Sequence, residues 1–350
     1  MCILFVYTLI ISEFALVYGS PSQGPFQAVT NNHRFYDVQA HRGGRGNVVE
    51  SILPSFAWGL IDGATTLELD NGITQASCRF LRAEKCSDTA PAVPDDPAYP
   101  YVGKYITNLT LAQIKTLDCG SKRQTDFPHQ LVYPGARVST LREVFDFVAC
   151  ADPSHQILWN IESKINPQYP NRTAGVDDFV QKQHEIFLSS PYYRSITVKK
   201  LDNKIITSAL IDEDNAFTPV NSTSPWLAGL RLESFPGPSL SEQMAQAAHS
   251  IQANVLSPTG TFLIPLSSHE GFSHFTTPEM ISEAHRLGMK VIPFTVNRLD
   301  RVEGLIKDGA DGIITDYPNV VRRWAKQQGL LVAPKYPKQR VFSCLYQHMQ

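Results

Sequence analysis

Residues 278–329 alternate between helical and strand patterns, and this alternation limits the folds that the chain can adopt. The helical segments have apolar residues three or four positions apart and end at glycine, whereas the strand segments are short apolar runs. In order they are PEMISEAHRLG (278–288), MKVIPFTVN (289–297), LDRVEGLIKDG (299–309), ADGIITD (310–316) and YPNVVRRWAKQQG (317–329). Repeated strand–helix units predict a parallel sheet covered by helices.

The earlier part of the chain continues the alternation. Strands are predicted for FYDVQA (35–40), TTLELD (65–70), ILWNIES (157–163), KIITSALI (204–211), WLAGLRL (226–232) and ANVLS (253–257). Helices are predicted for VESILPSFAWGLIDG (49–63), TLREVFDFVA (140–149), VDDFVQKQHEIFL (176–188) and SEQMAQAAHSI (241–251).

This pattern predicts an α/β fold with a (β/α)8 TIM barrel as a single domain over residues 36–330. A closed barrel fits the length and the number of units better than an open doubly wound sheet, because no Gly-rich dinucleotide fingerprint follows the first strand. Residues 331–350 are expected to form a C-terminal tail. The Pro- and Asp-rich residues 87–107 are expected to form an insertion over one barrel face.

The composition and the N-terminus indicate a secreted protein without a membrane span. The net charge of −2 and the absence of a basic run give no electrostatic basis for nucleic-acid binding. The apolar run Cys2–Ile11 is too short to cross a bilayer, and small residues follow at Gly19 and Ser20. We expect residues 1–19 to be a signal peptide. An uncleaved anchor or a wrongly assigned start is the alternative, since the segment lacks Lys and Arg.

Glycosylation sequons and cysteines are compatible with secretion. The sequons begin at Asn108, Asn171 and Asn221. Six cysteines are present, of which one belongs to the leader, so at least one of the other five has no intrachain partner. None has the CxxC spacing of a zinc site, and the sequence leaves the disulfide pairs open.

Charged residues collect where the predicted strands end. In a (β/α) barrel the reactive side chains lie at the C-terminal ends of the strands. Glu68 and Asp70 are two residues apart on one strand and therefore share a face, and Glu162 ends another strand. Three carboxylates at one rim predict a site for a hard divalent cation, Ca²⁺ or Mg²⁺.

The neighbouring basic residues predict a phosphate ligand for the same rim. Arg42 offers a planar guanidinium fork to a phosphate, and Lys164 shares the face of Glu162. His41 is a candidate general acid or base. A cation flanked by these three residues suits a phosphodiester.

The segments AHRGGRGNVVES, TLELDNGITQ, NIESK, FTVN and DGIITDYP, in this order, resemble the glycerophosphodiester phosphodiesterase family over most of residues 36–330. The resemblance implies a barrel fold and hydrolysis of small glycerophosphodiesters to glycerol 3-phosphate and an alcohol, assisted by Ca²⁺ or Mg²⁺. It implies that His41 is one of two catalytic histidines, that Arg42 contacts phosphate, and that Lys164 lies beside the metal. By the same resemblance, the metal ligands are Glu68, Asp70 and Glu162, and Glu50 takes the acidic position of the family's ENT segment.

The chain departs from the family pattern in two places. The family's second catalytic histidine belongs to an HD pair after the metal-binding strand, yet this chain has no histidine between His41 and His129. A strand–helix unit is also shortened near residues 194–206. Three interpretations remain open: wrongly placed splice boundaries around an active enzyme, an impaired paralogue, or rescue by another histidine. The possible rescuers are His129, His155, His269 and His274.

Three functions compete at this stage. The first is a secreted, metal-dependent glycerophosphodiesterase, and the second is a catalytically silent protein that keeps the cation and phosphate site. The third is a phospholipase D of the spider-venom type, which also requires the second histidine. The sequence does not decide the alcohol head group, the choice between Ca²⁺ and Mg²⁺, or the oligomeric state.

Overall fold

The computed structural model describes residues 35–73, 81–165, 174–190, 206–216, 231–261 and 272–350, with strands at 7–11 and 263–265. Most of the predicted strand at 226–232 lies outside the described residues, and so do Asn171, Asn221, Cys78 and His269. The segments 74–80 and 191–205, which carry the two departures from the family pattern, also lie outside them.

The described strands and helices follow the predicted alternation. The strands are β1 (Tyr7–Ile11), β2 (Asp37–Ala40), β3 (Thr66–Asn71), β4 (Leu158–Ser163), β5 (Ile206–Ile211), β6 (Val255–Pro258), β7 (Leu263–Pro265), β8 (Phe272–His274), β9 (Lys290–Val291) and β10 (Gly312–Thr315). The helices are α1 (Leu53–Asp62), α2 (Leu111–Ile114), α3 (Leu141–Ala151), α4 (Val176–Leu188), α5 (Glu213–Ala216), α6 (Leu240–Ser250), α7 (Pro278–Arg286), α8 (Leu299–Lys307), α9 (Pro318–Gln327) and α10 (Lys338–His348).

The main sheet closes on itself. Its strands lie in the order β10-β2-β3-β4-β1-β5-β6-β9, and the remaining pair, β7 and β8, forms a separate hairpin. Residues 291–293 complete the circle against β10, since Asp311 N–H donates to Val291 O at 2.9 Å and Ile314 N–H to Pro293 O at 3.0 Å. The predicted α/β barrel is therefore confirmed.

One position in the barrel differs from a regular (β/α)8 arrangement. Strand β1 pairs antiparallel with both β4 and β5, whereas the other pairs of the main sheet are parallel. Among the described residues, no strand lies between β4 and β5 in the chain. Strand β1 thus occupies the place in the circle between β4 and β5.

The period-two alternation of the strands separates the barrel interior from the helix layer. Leu67 and Leu69 of β3 and Trp159 of β4 pack against helices α1 and α3 in an apolar cluster. The alternate residues of these strands face the barrel interior. The interior is polar below the rim, where Asn160 Nδ2 donates to Gln39 Oε1 at 2.7 Å. The same alternation brings the carboxylates of β3 and β4 together at the upper rim.

The insertion after β3 is larger than the 87–107 segment that the sequence singles out. Its apolar residues form a cluster of their own, which includes Leu81, Tyr101 and Leu109. A disulfide between Cys86 and Cys119 crosslinks this cluster. The insertion is attached to the rim of the barrel by a backbone hydrogen bond of 2.7 Å from Leu131 N–H to Asn47 O.

The end of the chain contains helix α10, which packs against α3 and α1. Val341 and Leu345 of α10 are buried in the apolar cluster formed by those helices. A second disulfide joins Cys150 in α3 to Cys344 in α10, across 194 residues of sequence. The segment 331–350, assigned to a tail from the sequence, therefore covers part of the barrel. No helix within the described ranges is long and apolar enough to cross a membrane.

We expect the Cys150–Cys344 disulfide to stabilise the fold by restricting the unfolded chain. Replacing both cysteines by serine should lower the free energy of unfolding by roughly 2–4 kcal/mol, because the crosslink closes a long loop. Urea denaturation of the two proteins measures this difference. A reductant should lower the stability of the unaltered protein more than that of the variant, and equal stability without reductant would contradict the prediction.

Candidate active site

Three carboxylates meet at the C-terminal ends of β3 and β4. The parallel register places Asp70 beside Glu162, and Glu68 lies one strand repeat below Asp70 on the same face. Oxygen atoms of the three side chains lie within 4.8 Å of one another. Glu68 is 3% exposed and Glu162 is 9% exposed. The spacing of the sequence therefore assembles the predicted acidic trio.

The electrostatics of this trio fit a divalent cation. Burial raises the pKa of Glu68 well above its usual value, and the charges of Asp70 and Glu162 raise it further. Burial also raises the pKa of Glu162, although Lys164 opposes this. Buried carboxylates repel one another unless positive charge lies between them. Oxygen ligands of this kind are those that Ca²⁺ and Mg²⁺ prefer, so the residues fit such an ion.

Two basic side chains contact the trio from its rim. Arg42 Nε lies 2.9 Å from Asp70 Oδ2, and Lys164 Nζ lies 3.2 Å from Asp70 Oδ1. Lys164 also contacts Glu162. Burial alone would lower the pKa of Lys164, but the charges of Asp70 and Glu162 outweigh it, so the ammonium stays protonated.

The backbone at Arg42 is held in an uncommon conformation. Arg42 has φ 51° and ψ 38°, in the left-handed region that non-glycine residues seldom occupy. Its N–H donates to Glu68 Oε2 at 2.7 Å. The next residue must be glycine, because a Cβ at Gly43 would lie 2.7 Å from the carbonyl carbon of Ser55 at the start of α1. This turn directs Arg42 over the carboxylates, and such strain is typical of functional sites.

His41 is buried and oriented by Asp316. Its Nδ1 lies 2.7 Å from Asp316 Oδ1, and its Nε2 lies 3.9 Å from Glu68 Oε2. Burial lowers the pKa of His41 to about 4, although the charge of Asp316 opposes this. The imidazole is therefore neutral at neutral pH. With Nδ1–H donated to Asp316, Nε2 can accept a proton on the side of the carboxylates.

Asp316 connects several residues that the sequence placed at the rim without a role. Its carboxylate accepts hydrogen bonds from Arg45 Nε and from Asn297 Nδ2, each at 2.7 Å. Burial alone would raise the pKa of Asp316, but the contacts with His41 and Arg45 hold it below its usual value. The motifs FTVN and DGIITDYP contain Asn297 and Asp316, but sequence patterns do not show which side chain a distant residue will contact.

Glu50 forms a second anionic centre on the same rim. It pairs with Arg42 Nη1 at 3.1 Å, with Arg45 Nη1 at 3.6 Å and with Lys85 Nζ at 2.6 Å. Neither Arg45 nor Lys85 is assigned a role by the sequence analysis. Lys85 begins the segment KCSDTAP in the insertion that follows β3, and nothing in that segment indicated a contact with Glu50.

The alternative histidines do not join the site in the described structure. His129 lies exposed on the insertion. His155 follows α3 and precedes β4, so it lies at the opposite end of the barrel from the carboxylates. His274 is exposed on β8, and the charges that act on its pKa, besides burial, are those of Arg301, Asp308 and Asp300, none of which belongs to the acidic trio. Of the glycosylation sequons, Asn108 is described and is exposed on the insertion.

The barrel brings three carboxylates, two basic side chains and a neutral histidine together at one rim. The profile of the Glycerophosphoryl diester phosphodiesterase family matches residues 41–320. The chain belongs to this family of phosphodiester hydrolases, as the sequence motifs predicted. A glycerophosphodiester phosphodiesterase of Caldanaerobacter subterraneus subsp. tengcongensis is 26% identical over 295 residues, which span 82% of this chain and 98% of the relative.

Solved structures show the same fold. A Silicibacter pomeroyi protein described as a glycerophosphoryl diester phosphodiesterase superposes with a TM-score of 0.63 at 22% identity, over 86% of this chain and 96% of the other. A phosphodiesterase of Oleispira antarctica, solved with the product sn-glycerol-3-phosphate, superposes with a TM-score of 0.54 at 16% identity. That match covers 83% of this chain and 97% of the other.

We expect that Glu68→Gln or Asp70→Asn abolishes binding of divalent cations, because each change removes a charged oxygen ligand. Calorimetric titration of each variant with Ca²⁺ and with Mg²⁺ measures the effect. Asp146→Asn is the matched control, since Asp146 is exposed on α3 and loses the same charge. Unchanged cation affinity in both rim variants would mean that the acidic pair has only a structural role.

Proposed function

We propose that this chain is a metal-dependent glycerophosphodiesterase that hydrolyses small glycerophosphodiesters to glycerol 3-phosphate and an alcohol. The observation that carries the proposal is the convergence of Glu68, Asp70 and Glu162 with Arg42, Lys164 and His41 at one rim. The product complex of the Oleispira antarctica neighbour supports glycerol 3-phosphate as a product.

The carboxylate trio would hold Ca²⁺ or Mg²⁺. When bound, such an ion supplies positive charge that draws in and polarises a phosphate oxygen. Glu68, Asp70 and Glu162 provide the ligands.

Arg42 and Lys164 would bind the phosphate group. Both contact Asp70, so both cationic heads already lie beside the place where the ion would be held. The guanidinium of Arg42 can form two parallel hydrogen bonds to a phosphate, and Lys164 adds a point charge. Fixed charges of this kind stabilise the charge that develops on phosphate oxygens in the transition state.

His41 would act as the general base. Its neutral imidazole keeps Nε2 free of a proton, and Asp316 holds the ring through Nδ1. Nε2 takes the proton of the attacking oxygen, and the imidazolium that forms is stabilised by Asp316. The leaving alcohol also needs a proton. The family resemblance assigns that step to a second histidine, which this sequence lacks at the corresponding place.

We therefore expect that the unaltered chain binds a glycerophosphodiester but hydrolyses it slowly. Inserting a DGVVVVSHD-like hairpin after Thr74 should raise turnover on glycerophosphocholine by roughly 10²–10⁴-fold, because it supplies the second proton-transfer group. Affinity should change far less, since such a group acts mainly in the transition state. His41→Ala in the restored chain should lower turnover again. Equal turnover of the unaltered and the restored chain would show that no second histidine is needed.

Asp316 gives a second test of the base. Asp316→Asn should lower kcat of the restored chain by about 100-fold or more, because an amide no longer fixes the tautomer and the ring orientation of His41. Titration with Ca²⁺ should be unchanged, since Asp316 has no contact with the acidic trio among the contacts described. An unchanged kcat would mean that Asp316 serves the fold alone.

The two alternative functions would give different results in activity assays. A catalytically silent binding protein would bind glycerophosphocholine and release nothing even after the hairpin is restored. A phospholipase D of the spider-venom type would release choline from sphingomyelin. Release of glycerol 3-phosphate from glycerophosphocholine distinguishes the proposed activity from both.

We also propose that the protein is secreted after cleavage of residues 1–19. Two disulfides support an oxidising compartment, and the exposed Asn108 leaves room for a glycan. Cleavage would remove the segment that contains strand β1.

A further inference from the structure

The insertion returns to the barrel rim at Lys85. The ammonium nitrogen of Lys85 lies 2.6 Å from Glu50 Oε1, and the side chain of Lys85 is 29% exposed whereas that of Glu50 is 6% exposed. Lys85 therefore lies between the buried carboxylate of Glu50 and the solvent. It comes from the segment that follows the site of the missing hairpin, so it approaches the rim from outside the barrel strands.

Glu50 connects Lys85 to the rest of the site. The same carboxylate pairs with Arg42 and Arg45, which in turn pair with Asp70 and Asp316. Lys85 thus shares a carboxylate with the arginine that the proposed function assigns to phosphate.

With every carboxylate of this network ionised, the state that a bound cation favours, the charges of the network are nearly balanced. The network has one more acidic than basic residue. The acidic residues are Glu50, Glu68, Asp70, Glu162 and Asp316, and the basic residues are Arg42, Arg45, Lys85 and Lys164. A divalent cation would leave an excess of one positive charge, which one phosphodiester anion would neutralise. Without Lys85 the cation alone would already neutralise the network, and little net attraction for the anion would remain.

The position of Lys85 is fixed by a crosslinked turn. Lys85 N–H and Cys86 N–H donate to Arg82 O at 2.9 and 3.1 Å. Lys122 Nζ donates to Cys86 O at 3.1 Å, and Cys86 is bonded to Cys119. A residue next to a disulfide has little freedom to move along the rim, so the long side chain is held in reach of Glu50.

We propose that Lys85 is a phosphate-binding residue, held at the rim by the Cys86–Cys119 disulfide, that completes the cationic clamp of Arg42 and Lys164. This inference rests on the proposed function. Its role is electrostatic: Lys85 adds positive charge on the Glu50 side of Arg42. Lys85 therefore contributes to affinity and leaves the proton-transfer defect in place.

Calorimetric titration with glycerol 3-phosphate in the presence of saturating Ca²⁺ tests the proposal without requiring turnover. Lys85→Met should weaken binding about tenfold, the effect of losing one charge-assisted hydrogen bond to a phosphate. Lys85→Arg should retain most of the affinity. Lys307→Met is the matched control, because Lys307 is an exposed lysine paired with Glu303 on α8, and it should bind as the unaltered chain does.

Removal of the Cys86–Cys119 disulfide gives a second, independent test of the proposal. Replacing Cys86 and Cys119 together by serine should weaken binding in the same direction, and adding Lys85→Met should then cost little more, because both changes act through one side chain. Additive losses would overturn the role of the disulfide. Titration with Ca²⁺ alone should be unchanged in Lys85→Met, and a matching loss there would assign Lys85 to the fold of the metal site.

The outcomes separate this inference from the proposed function. If the unaltered chain does not bind glycerol 3-phosphate, the proposed function is wrong, and so is the phosphate-binding role of Lys85. If the unaltered chain binds and Lys85→Met binds equally well, the proposed function stands and the role of Lys85 is overturned.

Discussion

The structure of the site depends on holding several carboxylates close together in a buried place. Each of them loses hydration at the barrel rim, and the ones on β3 and β4 also repel each other. Basic side chains from three parts of the chain compensate this negative charge: the strained turn after β2, the end of β4 and the crosslinked insertion. The fold is therefore arranged around a charge balance that a divalent cation and a phosphate would complete.

The shared carboxylates make the rim a single unit. Asp316 holds the proposed base and also binds Arg45, while Glu50 binds both Arg45 and the proposed phosphate ligand Arg42. A substitution at one partner therefore alters the other ion pairs of the carboxylate that it shares. For this reason the effects of substitutions at the rim should not add, and double-mutant comparisons are needed to apportion them.

The sequence predicts the part of the site that depends on local periodicity. Alternation along β3 places Glu68 and Asp70 on one face, and the parallel register brings Glu162 beside them, so barrel and trio follow from spacing alone. The contact between His41 and Asp316 spans 275 residues, and the contact between Glu50 and Lys85 joins a barrel loop to an insertion. Such pairings are set by tertiary packing, which no short pattern encodes. The pairing of β1 was missed for the same reason.

The disulfide between α3 and α10 has a consequence outside the active site. A protease that cuts the chain once between Cys150 and Cys344 leaves two fragments that stay covalently joined. The nicked protein would keep both halves of its barrel in one covalent unit, and the cut would become visible in electrophoresis only after reduction. The crosslink therefore prevents a single cut in this region from separating the two halves of the barrel.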